Sequence, residues 1–278
     1  MRRTRIYRKR TTSTAITVEE EYYPVWEGPK GRGKKLRPTS DAQQILNDKK
    51  SLKHFTDLVN NNFRQYEDLK IELTYCDARK PDGIEDARRL HAAFVRRLRR
   101  WYERRVKELK YVVVDEIGKN GTMRPHHHML ITGGIDYKTL KTLWGNGSVN
   151  VAPIDYEQYG TSSWCEYVFK DPRYSRKWRG SRNLTPPDVK ERDSENNGRI
   201  AAKLLRAFES GKPFAPARPG YTAERVEIKR NPYNKDVYVR IRWVKEDLYE
   251  DRRKSAVRSE LRLRTYRARA GKGPGRRG

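Results

Sequence analysis

Hydrophobic positions along this 278-residue chain follow two periods, one of strands and one of helices. Leu69, Ile71, Leu73 and Tyr75 alternate with polar residues, as in a strand with one buried face. Residues 111–118 (YVVVDEIG) read as a buried strand, 118–123 (GKNGTM) as a turn and 125–132 (PHHHMLIT) as a further strand, together a hairpin. From about Gly83 to Leu109, Leu90, Phe94, Leu98, Trp101 and Val106 recur near helical spacing. The other face of that helix carries Arg doublets at 88/89, 96/97, 99/100 and 104/105. Shorter helices are predicted at Tyr137–Trp144, from Ser163, and at Asn197–Ser210, where Gly211 ends the last. Ser163 and Glu166 have the spacing of a capping box, so Ser163 is the predicted N-cap, and Pro172 stops that helix after about two turns. Residues 224–230, the turn at 231–234 and 236–244 form a second hairpin, with Val237, Val239, Ile241 and Trp243 on one face. The predicted class is α+β, with a central antiparallel sheet of about five strands flanked by helices.

Charge adds a partner to this picture. Sixty-three Lys and Arg against 36 Asp and Glu give a formal charge of +27. With a mean hydropathy of -1.06 and a pI near 10.1, the expected partner is a polyanion, first of all nucleic acid. Residues 1–40 hold 11 Lys/Arg against 4 Glu, and residues 251–278 hold 11 against 2 acids. The expected organisation is a basic arm and linker over 1–45, a catalytic domain over 46–190, a helix-and-hairpin module over 191–249, and a basic disordered tail over 250–278. Gly28, Gly33 and Lys34 approach a phosphate-binding loop, but Lys35 stands where a Mg²⁺-binding hydroxyl belongs, and 28–35 reads as a basic linker. No apolar run is long enough to span a bilayer, and the basic N-terminal residues lack the apolar stretch of a secretory signal. Two cysteines, Cys76 and Cys165, cannot form a disulfide framework and fit a reducing, cytoplasmic location.

Three consecutive histidines bring in candidate chemistry. On a strand His126 and His128 share a face and His127 takes the other, so the outer two can ligate one divalent ion. If 111–117 pairs with 125–132, an acid completes the site. Glu116, which shares parity with Val112 and Val114, is the preferred third ligand, with Asp115 the alternative. A carboxylate and two imidazoles suit Mg²⁺, Mn²⁺ or Zn²⁺ acting on phosphate oxygens. Tyr167 and Lys170 share a face of the capped helix, and a phenol beside a metal and a cation is a usable nucleophile toward phosphorus. Each feature alone also fits a plainer role: histidines satisfied by neighbours, a solvated acid, a packing tyrosine.

In combination they are more specific. Ile71–Tyr75, then Arg124–Leu130 with its histidines, then Tyr167–Lys170, in that order, resemble the HUH endonucleases. More narrowly, they are similar to the rolling-circle replication initiators (Rep proteins) of the filamentous-phage gene II type. Trp144, Gly147 and Val149, and the stretch Ser181–Leu184, support the likeness, which covers about 66–190. The resemblance implies a five-stranded antiparallel sheet and a metal held by His126, His128 and an acid. It further implies that Tyr167 attacks a DNA phosphate at an origin, giving a 5′-phosphotyrosyl bond and a 3′-OH primer, and that Lys170 neutralises the scissile phosphate. The partners would be single-stranded or hairpin origin DNA, with a host helicase and polymerase. His127 stands where the superfamily carries a bulky apolar residue, which leaves a shifted ligand pair open. Tyr159 and Tyr174 are candidates for a second tyrosine. The rival readings are a single-tyrosine HUH transposase, a non-catalytic basic nucleic-acid-binding protein, and a zinc hydrolase that uses water.

Overall fold

A computed structural model of the chain describes residues 5–25, 40–116, 125–156, 160–169, 178–211 and 218–248. The linker at 28–35, the turn at 118–123, Tyr159, Lys170, Tyr174 and the tail at 250–278 lie outside them. In chain order the elements are β1 (Tyr7–Ser13), β2 (Thr17–Pro24), α1 (Asp41–Asn62), β3 (Leu69–Leu73), α2 (Ile84–Glu103), β4 (Tyr111–Glu116) and β5 (His126–Ile131). They continue with α3 (Tyr137–Trp144), β6 (Val149–Pro153), α4 (Ser162–Val168), β7 (Arg179–Gly180), β8 (Asp188–Ser194), α5 (Glu195–Glu209), β9 (Tyr221–Arg230) and β10 (Val237–Lys245). The class is α+β, with two five-stranded sheets. The chain divides into two compact units, one of residues 1–11, 16–25 and 191–278, the other of 12–15 and 26–190.

The larger unit is built on the sheet β6-β3-β5-β4-β7, in which every neighbouring pair is antiparallel. Ile71, Leu73, Val113, Met129 and Ile131 cover one face and pack against Phe94, Leu98 and Tyr102 of α2 and Leu140 and Trp144 of α3. Burial of these side chains, each contributing about 1.5–3 kcal/mol, holds both helices on that face. The Trp144 indole N–H donates to the Thr74 carbonyl at 2.8 Å, tying the end of α3 to the chain leaving β3. α1 and α4 pack together, with the Phe55 ring 6.2 Å from Trp164 and 5.3 Å from Phe169.

Two local expectations are corrected here. α2 ends at Glu103, not near Leu109, and Val106 is 98% exposed instead of lining the apolar face. After Tyr102 the chain turns back, with Lys107 N–H bonded to the Tyr102 carbonyl and Val106 at φ 54°, to deliver Leu109 and β4 to the sheet. The N-cap of α4 is Thr161, not Ser163, and it makes no side-chain cap. The Thr161 hydroxyl is committed instead to Asn60 Oδ1 of α1 at 2.7 Å, which anchors the two helices to each other.

The smaller unit contains the sheet β8-β1-β2-β10-β9 with α5 against it. Val237, Val239, Ile241 and Trp243, the face expected to be apolar, are buried with Tyr7, Val18 and Tyr22 against Ala201 and Leu205 of α5. Within the stretch read as a basic arm, β1 and β2 are strands whose charges pair across the sheet. Glu19 meets Arg240 at 2.7 Å and Lys9 meets Glu20 at 3.0 Å.

Candidate metal and tyrosine site

Strand register assembles the site. β5 pairs with β4 so that His126 faces Glu116 and His128 faces Val114, and with β3 so that His128 faces Glu72. Residues directly opposed in antiparallel strands project to the same side, so Glu72, Glu116, His126 and His128 share one face. That face is opposite the one covered by α2 and α3. Glu116 Oε2 lies 3.0 Å from His126 Nε2 and 2.9 Å from His128 Nε2. The two imidazoles stand edge to face, 4.9 Å between centroids. Ligand atoms of Glu72, His126 and His128 all lie within 4.8 Å of one another. Their side chains reach water without being loose: 12% of His126, 9% of His128 and 35% of Glu116 is exposed. Imidazole nitrogens with carboxylate oxygens form a donor set that fits a divalent ion, and the convergence of these atoms is the geometry such an ion needs.

His127 turns into the core, as strand alternation requires, and is fully buried. Its Nδ1 lies 2.8 Å from Asp115 Oδ1 and its Nε2 2.8 Å from the Tyr75 hydroxyl, which also lies 3.1 Å from the Ala87 carbonyl. Asp115 in turn holds Arg88 at 3.0 Å and Arg179 at 2.6 Å. Burial alone would raise the Asp115 carboxyl, but the hydrogen bond and charge at His127, with Arg179 and Arg88, hold it well below the usual carboxylate range. Burial lowers His127 against the hydrogen bond and charge of Asp115, to which Nδ1–H donates, while the Tyr75 hydroxyl donates its own proton to the Ala87 carbonyl. Asp115 thus faces His127, and Glu116 faces the outer histidines.

Tyr167 comes from α4. Ser162, Cys165 and Val168 bury one side of that helix, which leaves Tyr167 52% exposed on the other. Its ring sits edge-on to His128, 5.9 Å between centroids. Both border a cleft of about 400 Å³ whose wall also includes Lys70, Glu72, Asn150 and Trp164. Sequence reasoning did not assign Glu72 to the site. The available signal was the Ile71-Glu72-Leu73 alternation, which sets an acid on the polar face of its strand but does not say which strand lies beside it.

Among the described residues no helix is long and apolar enough to cross a membrane. No curated protein and no solved structure significantly matches the chain. A family match does exist, running from the start of β3 past the end of α4, and so includes every group placed at the site. The likeness to gene II type initiators is thereby borne out: over residues 68–172 the chain matches the family model of the replication-associated proteins of the ORF2 and gene II protein type.

Proposed function

We propose that this replication-associated protein nicks single-stranded origin DNA with Tyr167 and later rejoins the strand. The observation that carries the reading is the edge-on contact of Tyr167 with His128 at the mouth of the cleft that holds Glu72. His126, His128, Glu72 and Glu116 would hold a divalent ion, Mg²⁺ or Mn²⁺, which when bound draws charge from a phosphate oxygen. The Tyr167 phenol loses its proton to solvent at the open mouth of the cleft, and its oxygen attacks phosphorus. The P–O3′ bond breaks, the 3′ oxygen takes up a proton, and the DNA is left with a 5′-phosphotyrosyl bond and a free 3′-OH. Reversal by an incoming 3′-OH restores the strand and the phenol. Lys170 is assigned to the charge of the scissile phosphate. A host helicase and polymerase would then extend the primer.

The test is incubation with a pool of single-stranded DNA rich in hairpins, with Mn²⁺, followed by a denaturing gel. An adduct that survives SDS and heat in wild type and is absent from Tyr167→Phe and from His126→Ala/His128→Ala is the expected result. Adduct persisting in Tyr167→Phe moves the nucleophile to Tyr159 or Tyr174. Salt-sensitive binding with no adduct in any chain replaces the proposal with a non-catalytic DNA-binding role.

A further inference from the structure

The outer face of α2 has no role in this chemistry. Its first half is neutralised: Arg88 meets Glu85 at 2.7 Å and Asp115 at 3.0 Å, and Arg89 meets Asp86. Its last turns are not. Arg96, Arg99 and Arg100, followed by Arg104 and Arg105, are exposed and have no acidic partner among the described residues. Arg97 differs, because it turns inward and donates to the Leu143 carbonyl at 2.8 Å and the Trp144 carbonyl at 3.3 Å. A helix C-terminus favours a cation or two through its dipole. It does not favour Arg96, Arg99, Arg100 and Arg104 stacked three and four apart, where like charges repel. That repulsion is visible in Arg97, whose guanidinium is lowered first by burial and then by Arg100 and Arg96.

We propose that this arginine face binds the phosphate backbone of duplex DNA, separately from the single strand at the metal cleft. Two observations select duplex. The face lies on the far side of the sheet from Glu72, His126 and His128, because α2 packs on the Ile71/Leu73/Met129 side. A strand threaded through the cleft is separated from it by the thickness of a sheet and a helix, on the order of 15 Å. The face also lacks an open stacking platform, since the Trp101 ring is covered by Arg105 at 3.9 Å, and single strands are gripped largely by stacking. From Arg96 to Arg104 the guanidinia span about 12 Å of helix, enough to meet several phosphates of a rigid duplex. Planar guanidinia suit that contact through paired N–H···O bonds. The two surfaces would let one molecule hold origin duplex while its cleft works on the exposed strand.

The experiment measures binding of the full chain to a labelled duplex, and to one of its strands alone, across a salt series. Arg96→Gln/Arg99→Gln/Arg100→Gln/Arg104→Gln is expected to reduce the slope of log K against log salt on duplex by about 3.6, at roughly 0.9 per phosphate contact. The slope on single strand and the yield of Tyr167 adduct should stay at wild-type values. The same four positions changed to Lys should keep the duplex slope, and the pair Arg96→Gln/Arg100→Gln should lose about half the full effect. An unchanged duplex slope, an equal loss on single strand, or a Lys set as weak as the Gln set overturns the proposal. So does a loss seen on an acidic polypeptide but not on duplex. Because the readout is binding, absence of adduct in wild type would refute nicking and leave this inference standing.

Discussion

Asp115→Asn isolates the network behind the metal strand. The Asp115 side chain is 5% exposed and receives Arg88, Arg179 and His127, while each arginine side chain keeps 21% of its surface in water. The amide retains one acceptor oxygen. If that oxygen stays with Arg179 and His127, the new NH₂ points at the Arg88 Nε–H, donor against donor. Removing one partner of a buried pair costs about 3–5 kcal/mol when the remaining charge is fully enclosed. Partial exposure of both guanidinia, and the second partner of Arg88 at Glu85, bring the expected loss to about 2–4 kcal/mol. Amide hydrogen exchange of β4 and β5 reads this unit directly, without requiring the whole chain to unfold as one. A loss of about 2–4 kcal/mol accelerates exchange through opening by roughly thirty-fold to several hundred-fold at neutral pH. Acceleration below about tenfold would refute the view that the carboxylate is a required counter-ion. In a cycle with Arg179→Gln, the double variant should cost at least about 1 kcal/mol less than the sum of the singles.

Tyr75→Phe removes the hydroxyl that bridges His127 Nε2 and the Ala87 carbonyl, and should destabilise by about 1–3 kcal/mol in the same assay, with no change in Mn²⁺ affinity at the outer histidines. His91 is 1% exposed, and burial first, then the charges of His127 and Arg179, against Asp115, lowers its pKa well below the usual value. The unfolded chain therefore binds the proton that the folded chain refuses. The stability held above about pH 6.5 should drain away on acidification, at up to about 1.4 kcal/mol per pH unit, and thermal melts flat between pH 7 and 5.5 would exclude this. Gly147→Ala would set a Cβ 2.6 Å from Cys76 N and 2.8 Å from the Tyr75 carbonyl carbon, both backbone, and should cost about 1–3 kcal/mol by urea unfolding.

What could be read from the chain alone follows the contrast between its faces. β3, β4, β5 and the central part of α2 were legible because their buried positions are mostly apolar and recur at strand or helix spacing, with His91 and His127 as the polar exceptions. α1 was not: its sequence mixes Lys, Asn and Asp among Phe55, Leu58 and Val59, and the hydrophobic stripe is narrow. β1 and β2 were hidden by their charges, since Arg8 and Glu19 are met by residues far along the chain, Asp193 and Arg240, and Lys9 and Glu20 meet each other only once the two strands lie side by side. Glu116 could be reached by counting parity within one hairpin. Glu72 could not, because its place beside His128 depends on β3 lying next to β5, a neighbour relation between strands about 50 residues apart that no local pattern encodes.

The triplet at 126–128 poses a problem of discrimination that the core solves. Met129, Leu130 and Ile131 are all buried, so the apolar end of β5 tolerates either face inward, and three identical side chains offer no contrast of their own. A slip of one residue would turn His126 and His128 inward and His127 out. Inside, the Asp115 carboxylate and the Tyr75 hydroxyl form a berth for one imidazole, so a second would be entombed without a partner, at a cost of about 1–3 kcal/mol. The dry side of the sheet accepts a single histidine and thereby commits the remaining two to the wet side. The spacing of the ligand pair is thus enforced from behind, by residues that never touch the cleft.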